Sequence, residues 1–141
     1  LEKMGEIKTV EISIESSGRH NFGTIGPDKT PVVTLPGDPI AAYISFELLI
    51  RPMIRTMLGT ATIHRPSVKA KLEKALTSSG GYRSYVRAIL SEDGKSVAPL
   101  SSQDEQATLS DANCFIAVPE GETSLSAGAQ VTVVILERRY L

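Results

Sequence analysis

Apolar and polar positions alternate from residue 6 to residue 15, with Val10, Ile12 and Ile14 on one parity and Glu11, Ser13 and Glu15 on the other. This period of two predicts a strand with one apolar and one polar face, and it turns both glutamates the same way. Ser16 to Asn21 reads as a polar loop, Phe22 to Ile25 as a short strand, and Gly26-Pro-Asp-Lys-Thr-Pro31 as a turn. Val32, Val33 and Leu35 make a brief apolar run rich in β-branched residues, which predicts a strand buried on both faces, as in parallel sheets. From Pro39 to Leu58 the period lengthens. Ile40, Tyr43, Ile44, Ile50, Ile54 and Met57 line one side, broadened by Phe46, Leu49 and Met53, so this stretch predicts an amphipathic helix. Pro52 removes one intrahelical hydrogen bond and is expected to kink it, and Gly59 is placed to end it. Glu47, Arg51 and Arg55 form a charged row at i, i+4 and i+8, read as a solvated edge.

Thr60 to Pro66 reads as a connection between domains, and beyond it the pattern becomes β-rich. Val68, Leu72, Ala75 and Leu76 have helical spacing among good helix formers, so periodicity alone predicts a helix over 67–76. Tyr82 to Leu90 alternates as a strand, Asp93-Gly94 is a preferred two-residue hairpin turn, and Ser96 to Leu100 can return antiparallel. Ala112 to Val118 and Gln130 to Leu136 supply two further apolar strands. No repeat or low-complexity tract interrupts this order.

Composition narrows the function classes. Among 141 residues the net charge is −1 and there is no Trp, which argues against a basic nucleic-acid surface and against an aromatic stacking platform. No apolar run reaches membrane-spanning length and no segment resembles a signal peptide, so the expectation is a cytoplasmic protein with neither membrane nor nucleic acid as partner. Cys114, the only cysteine, lies in an apolar strand and reads as a buried thiol. His20 and His64 are far apart and have no metal-ligand spacing around them, so no metal site is expected within the chain.

The most informative segment is Pro36-Gly37-Asp38-Pro39, a rigid turn between strand and helix. Two prolines fix φ on either side of Gly37, the residue there able to take a positive φ, while Asp38 can cap the helix and Pro39 can occupy its first position. Such a strand-to-helix turn points backbone N–H groups outward and suits an oxyanion or phosphate. On spacing alone an ordinary βα connection is the preferred reading.

Leu35-Pro-Gly-Asp-Pro39 followed by Phe46-Glu-Leu-Leu-Ile-Arg-Pro52 resembles the Leu-Pro-Gly-Asn-Pro and Phe-Glu-x-x-x-Arg-Pro signature of the molybdopterin molybdenumtransferase family, which includes the gephyrin E domain. Asn113-Cys-Phe-Ile-Ala-Val-Pro-Glu-Gly121 and Ala127-Gly-Ala-Gln-Val-Thr-Val133 resemble the last strands of that family's C-terminal barrel. The resemblance implies residues 1–62 as the last part of a three-layer α/β molybdopterin-binding domain and residues 63–141 as a small all-β barrel. It makes residues 67–76 the first barrel strand, and this is the reading adopted. It also implies a fragment whose missing upstream domains carry the Mg2+ ligands, and a homodimer in the full-length form.

Enzymes of the resembled family transfer molybdate to the dithiolene of molybdopterin-AMP with Mg2+ assistance and release AMP. Every reactant is anionic, so cationic side chains and oriented N–H donors should line the site. The residues implicated as substrate-binding are Pro36, Gly37, Asp38, Pro39, Arg87, Glu11, Glu15 and Arg19, with no catalytic residue assigned. Several depart from the family pattern. Glu11 and Glu15 stand where lysine or another basic or polar residue is usual, Ser16-Ser-Gly-Arg19 replaces a Pro-Gly-Lys-Pro loop, and Asp38 replaces asparagine. Arg87 matches the last arginine of a Gly-Arg-x-x-Phe-x-Arg strand whose first arginine is Tyr82 here. Each like-charge pair at ~4 Å costs on the order of 4 kcal/mol at an effective dielectric of about 20, so the glutamates would oppose molybdate. The implied function is therefore a molybdenumtransferase with altered positions, or alternatively a non-catalytic paralogue that binds a pterin, a nucleotide or a protein.

Overall fold

The computed structural model describes residues 5–11, 19–100 and 111–136. The chain forms two compact units, Leu1–His64 and Arg65–Leu141.

In the first unit, β1 (Gly5–Glu11), β2 (Arg19–Ile25) and β3 (Thr30–Val33) form an antiparallel sheet in the order β1-β2-β3. The sheet differs from the buried parallel strand predicted for Val32 to Leu35. β3 folds straight back on β2 through the turn closed by the Lys29 N–H on the Gly26 carbonyl, and Leu35 is 41% exposed. A short apolar run does not encode the direction of its neighbour; the four residues between Ile25 and Thr30 do, since a parallel pairing needs a long crossover. β1 and β2 approach so closely that a methyl group on Gly23 would collide with the Glu6 carbonyl oxygen, and one on Gly5 with that of Thr24.

The expected helix forms as α1 (Pro39–Ser45), one π-helical turn (Phe46–Ile50) and α2 (Arg51–Met57). The wider turn lies directly before Pro52, with the Arg51 N–H donating to the Phe46 carbonyl. Pro52 has no N–H, and in an α-helix its ring crowds the carbonyl four residues back; the extra residue in the preceding turn relieves this. Gly59, at φ 69°, ends the helix, with its N–H on the Thr56 carbonyl and the Thr60 N–H on the Arg55 carbonyl. These are the two bonds of a Schellman cap. The charged row is not a solvated edge. Glu47 is buried, Arg51 reaches the Ile63 carbonyl and Arg55 that of Thr62.

The second unit is a closed barrel in the order β10-β4-β7-β6-β8. Its walls are β4 (Ser67–Leu72), β6 (Ser84–Leu90), β7 (Ser96–Pro99), β8 (Cys114–Val118) and β10 (Gln130–Ile135), and β5 (Leu76–Thr77) pairs with β9 (Ser124–Leu125) outside it. Residues 67–72 are thus the first barrel strand, as the resemblance implies and against their helical spacing. Val68, Ala70 and Leu72 point into the barrel with Leu90, Val97, Ile116, Val133 and Ile135. Cys114 is a buried thiol in that core, as its apolar neighbours predict.

Asp93-Gly94 does not make a two-residue turn. Leu90 pairs with Val97, the Ser91 N–H meets the Ser96 carbonyl, and only Gly94 of the intervening residues has a positive φ. A type I′ hairpin needs positive φ at both central residues, whereas Asp93 here uses its carboxylate to bind Ser91 Oγ and the Lys95 N–H.

Candidate functional site

The Pro36–Pro39 turn is the natural centre of a site because its outer residues are open to solvent while both its ends are fixed. Gly37, Asp38 and Pro39 are exposed and Pro36 is half-buried. On the exit side Asp38 caps the helix, its Oδ2 accepting from the Ala41 N–H at 2.8 Å, with Pro39 at the first helical position. Gly37 does not use the positive φ open to glycine, and a Cβ there would meet nothing within 4 Å. Its glycine is therefore required neither by the turn nor by packing among the described residues.

On the entry side β2 holds the strand end. The Thr34 N–H donates to the Asn21 carbonyl at 2.8 Å, and Thr34 Oγ1 accepts from both the Asn21 N–H at 3.0 Å and Asn21 Nδ2 at 3.1 Å. Thr9 Oγ1 donates to Asn21 Oδ1 at 2.6 Å, so a polar row crosses all three strands and ends at the turn. Further along the same strand pair, the backbone register sets Glu11 opposite Arg19. Glu15 lies outside the described residues.

Asp38 sets the electrostatics of the turn. A carboxylate at a helix N-terminus offsets the partial positive charge there, and this one already engages an amide that an incoming anion could otherwise use. The turn can therefore present backbone and a shaped, rigid surface to a ligand, with less pull on an anion than an uncharged cap would give.

Arg87 belongs to the second unit. It lies on β6 opposite Phe115 of β8 and is only 7% exposed. Its backbone carbonyl accepts from the Leu100 N–H, and the neighbouring Tyr85 ring meets Phe115 edge-on at 6.5 Å between centroids. Among the described residues no group of three or more His, Cys, Asp or Glu could hold a metal ion, and no helix is long and apolar enough to cross a membrane.

Sequence reading missed four residues. Asn21 and Thr34 position the turn, and His20 with Ser45, both fully buried, make a contact of 3.0 Å between β2 and α1. None has a local sequence signal, since each acts through a partner at least thirteen residues away.

A family described as the MoeA C-terminal region (domain IV) matches residues 69–136. The chain is 33% identical over 145 aligned positions to molybdopterin molybdenumtransferase 1 of Mycobacterium tuberculosis strain H37Rv, covering 96% of this chain and 34% of that protein. It is 38% identical to molybdopterin molybdenumtransferase 2 of the same strain, over 90% of this chain and 31% of the relative. Among solved structures, a molybdopterin biosynthesis MoeA protein from Pyrococcus horikosii superposes with a TM-score of 0.79 at 28% identity, over 96% of this chain and 33% of that one. The chain thus spans about a third of the length of the relatives it matches.

Proposed function

Because the chain belongs to the molybdopterin molybdenumtransferase family and matches the C-terminal third of its members, we propose that it acts in molybdenum cofactor biosynthesis as the C-terminal part of an enzyme that inserts molybdate into molybdopterin-AMP and releases AMP. The observation that carries this is the Pro36–Pro39 turn, exposed at its tip and held by Asn21 on one side and the Asp38 cap on the other. A pre-formed turn costs no ordering when a ligand arrives, which favours its use as a binding surface. In this reading the turn and positions 11, 15 and 19 contact the pterin nucleotide, and Arg87 is a separate candidate anion contact on the barrel. Mg2+ is held by parts of the enzyme beyond the described residues, the working form is a homodimer, and the location is the cytoplasm.

The second reading, a paralogue that binds without inserting metal, is favoured by one feature. Asp38 adds negative charge at the turn where every proposed reactant is anionic. Molybdate-dependent AMP release by the protein from molybdopterin-AMP separates the two. Turnover supports the transferase; binding of molybdopterin-AMP without release supports the paralogue; neither binding nor release removes both. The electrostatic part is tested by Glu11→Lys with Glu15→Lys, which should raise turnover at low salt and lose the gain as salt screens it.

A further inference from the structure

Adjacent residues of β2 look to opposite faces of the sheet. The register sets Arg19 opposite Glu11, Asn21 binds Thr34, and His20 faces the other side of the sheet, toward α1. His20 is fully buried, and its Nε2 lies 3.0 Å from Oγ of Ser45, which is 1% exposed. Ser45 is four residues beyond Ala41, so the two share one helix face, and both are buried. Ala41 is the residue whose N–H is held by the Asp38 cap.

We propose that His20 and Ser45 form a positioning pair that fixes the helix, and with it the Asp38 cap and the Pro36–Pro39 turn, against β2, whose first residue pairs with position 11 of β1. Apolar contact alone is non-directional and would let the helix turn or slide over the sheet. A single buried polar bond selects one rotation and one depth. The pair is kept at a cost, because His20 Nδ1 is buried with no hydrogen-bond partner among the described residues, and an unpaired ring nitrogen in the interior opposes folding. Two apolar side chains of matching shape would avoid that cost and lose the direction. Asn21 and His20 therefore hold the two ends of the turn from adjacent positions on one strand, Asn21 through Thr34 before it and His20 through Ser45 after it.

The value of this pair to a ligand rests on the proposed function of the turn, and its geometry does not. The test is amide hydrogen exchange and AMP titration by calorimetry on the protein with Ser45→Ala, His20→Phe, both together, and His20→Gln. Loss of one hydrogen bond should speed exchange at the Ala41 amide roughly fivefold in each single variant, with no further gain in the double variant and recovery with His20→Gln. The β1–β2 ladder amides should not change. AMP affinity should follow the same non-additive pattern. Unchanged Ala41 exchange, additive effects, or equal acceleration across the whole sheet would overturn the proposal. If His20→Phe does not fold, Ser45→Ala, which removes only a hydroxyl, decides. Should Ala41 respond as stated while no variant and not the parent protein binds AMP, the positioning pair stands and the ligand reading of the turn fails.

Discussion

The barrel and the sheet-helix unit bury their chains by different means. In the barrel, closure leaves no wall strand with an open edge, and the interior is aliphatic, with Leu72, Leu90, Ile116, Val133 and Ile135 all nearly inaccessible. In the first unit, β1 and β3 each have a single neighbour among the described residues, and His20, Ser45 and Glu47 are buried alongside Ala41 and Ile44. Meanwhile Met53, Ile54, Met57 and Leu58 of its helix end are exposed, the last two at 69% and 73%. The barrel also buries Asn113, which bonds the Leu90 backbone, but its aliphatic interior is the larger part, whereas a few directional bonds shape the first unit. The contrast suits a scaffold in one unit and a positioned surface in the other.

The sharpest way to break this contrast is in the barrel. Leu90 is 2% exposed within the aliphatic core, and Leu90→Ala should cost about 2–5 kcal/mol through lost burial and a residual cavity. Urea unfolding followed by amides of β6 and β8 should show the loss, with the β1–β2 amides unaffected. A change under 1 kcal/mol would mean that the barrel is not held by its interior.

In the sheet the equivalent weak point is a glycine. Gly23→Ala places a methyl against the Glu6 carbonyl, which is backbone and cannot swing aside, so β1 and β2 must separate. The expected cost is about 1–3 kcal/mol, confined to the first unit. A fully retained β1–β2 ladder by exchange would show that the two strands are not as close as described.

Much of the barrel was legible because a strand's period of two survives in short stretches. Ser84–Leu90, Cys114–Val118 and Gln130–Ile135 all fall within predicted strands. Residues 67–72 misled periodicity, since Val68 and Leu72 are spaced equally well for a helix face and for alternate positions of a strand; only the likeness to a family separated the two. Asp38 as cap, Pro39 at the first helical position and Gly59 as terminator were readable from residue type, because capping is local. The direction of β3, the burial of Glu47 and the His20–Ser45 contact were not, because each depends on which distant segment lies alongside. Of the candidate site, the turn was legible while the residues that hold it were not.

The exposed helix end distinguishes the units in solution. Met53, Ile54, Met57 and Leu58 form an apolar patch on α2 and its cap, and such a patch favours association. The protein should therefore show concentration-dependent self-association by sedimentation, reduced by Met57→Glu with Leu58→Glu. Both positions are mostly solvent-exposed, so stability should change by less than about 0.5 kcal/mol. A strictly monomeric parent protein at high concentration would count against the patch as an association surface.

The smallest effect expected concerns pH and separates the barrel's loops from its core. The Ser91 hydroxyl and then the Lys95 amide and charge hold the Asp93 carboxyl below the usual aspartate range. Because the folded value lies below the unfolded one, the resulting stabilisation is complete above the ordinary aspartate value and is lost as pH falls through the folded value. Asp93 is fully open to water, so screening keeps the effect small. Asp93→Asn should flatten the acid limb of the barrel's unfolding midpoint while leaving the neutral-pH midpoint nearly unchanged, since an amide oxygen can still accept from Ser91 and Lys95. Denaturant midpoints at pH 6 and at pH 3 for the two proteins measure this. If both lose the same stability between those pH values, the loop carboxylate contributes nothing to acid sensitivity.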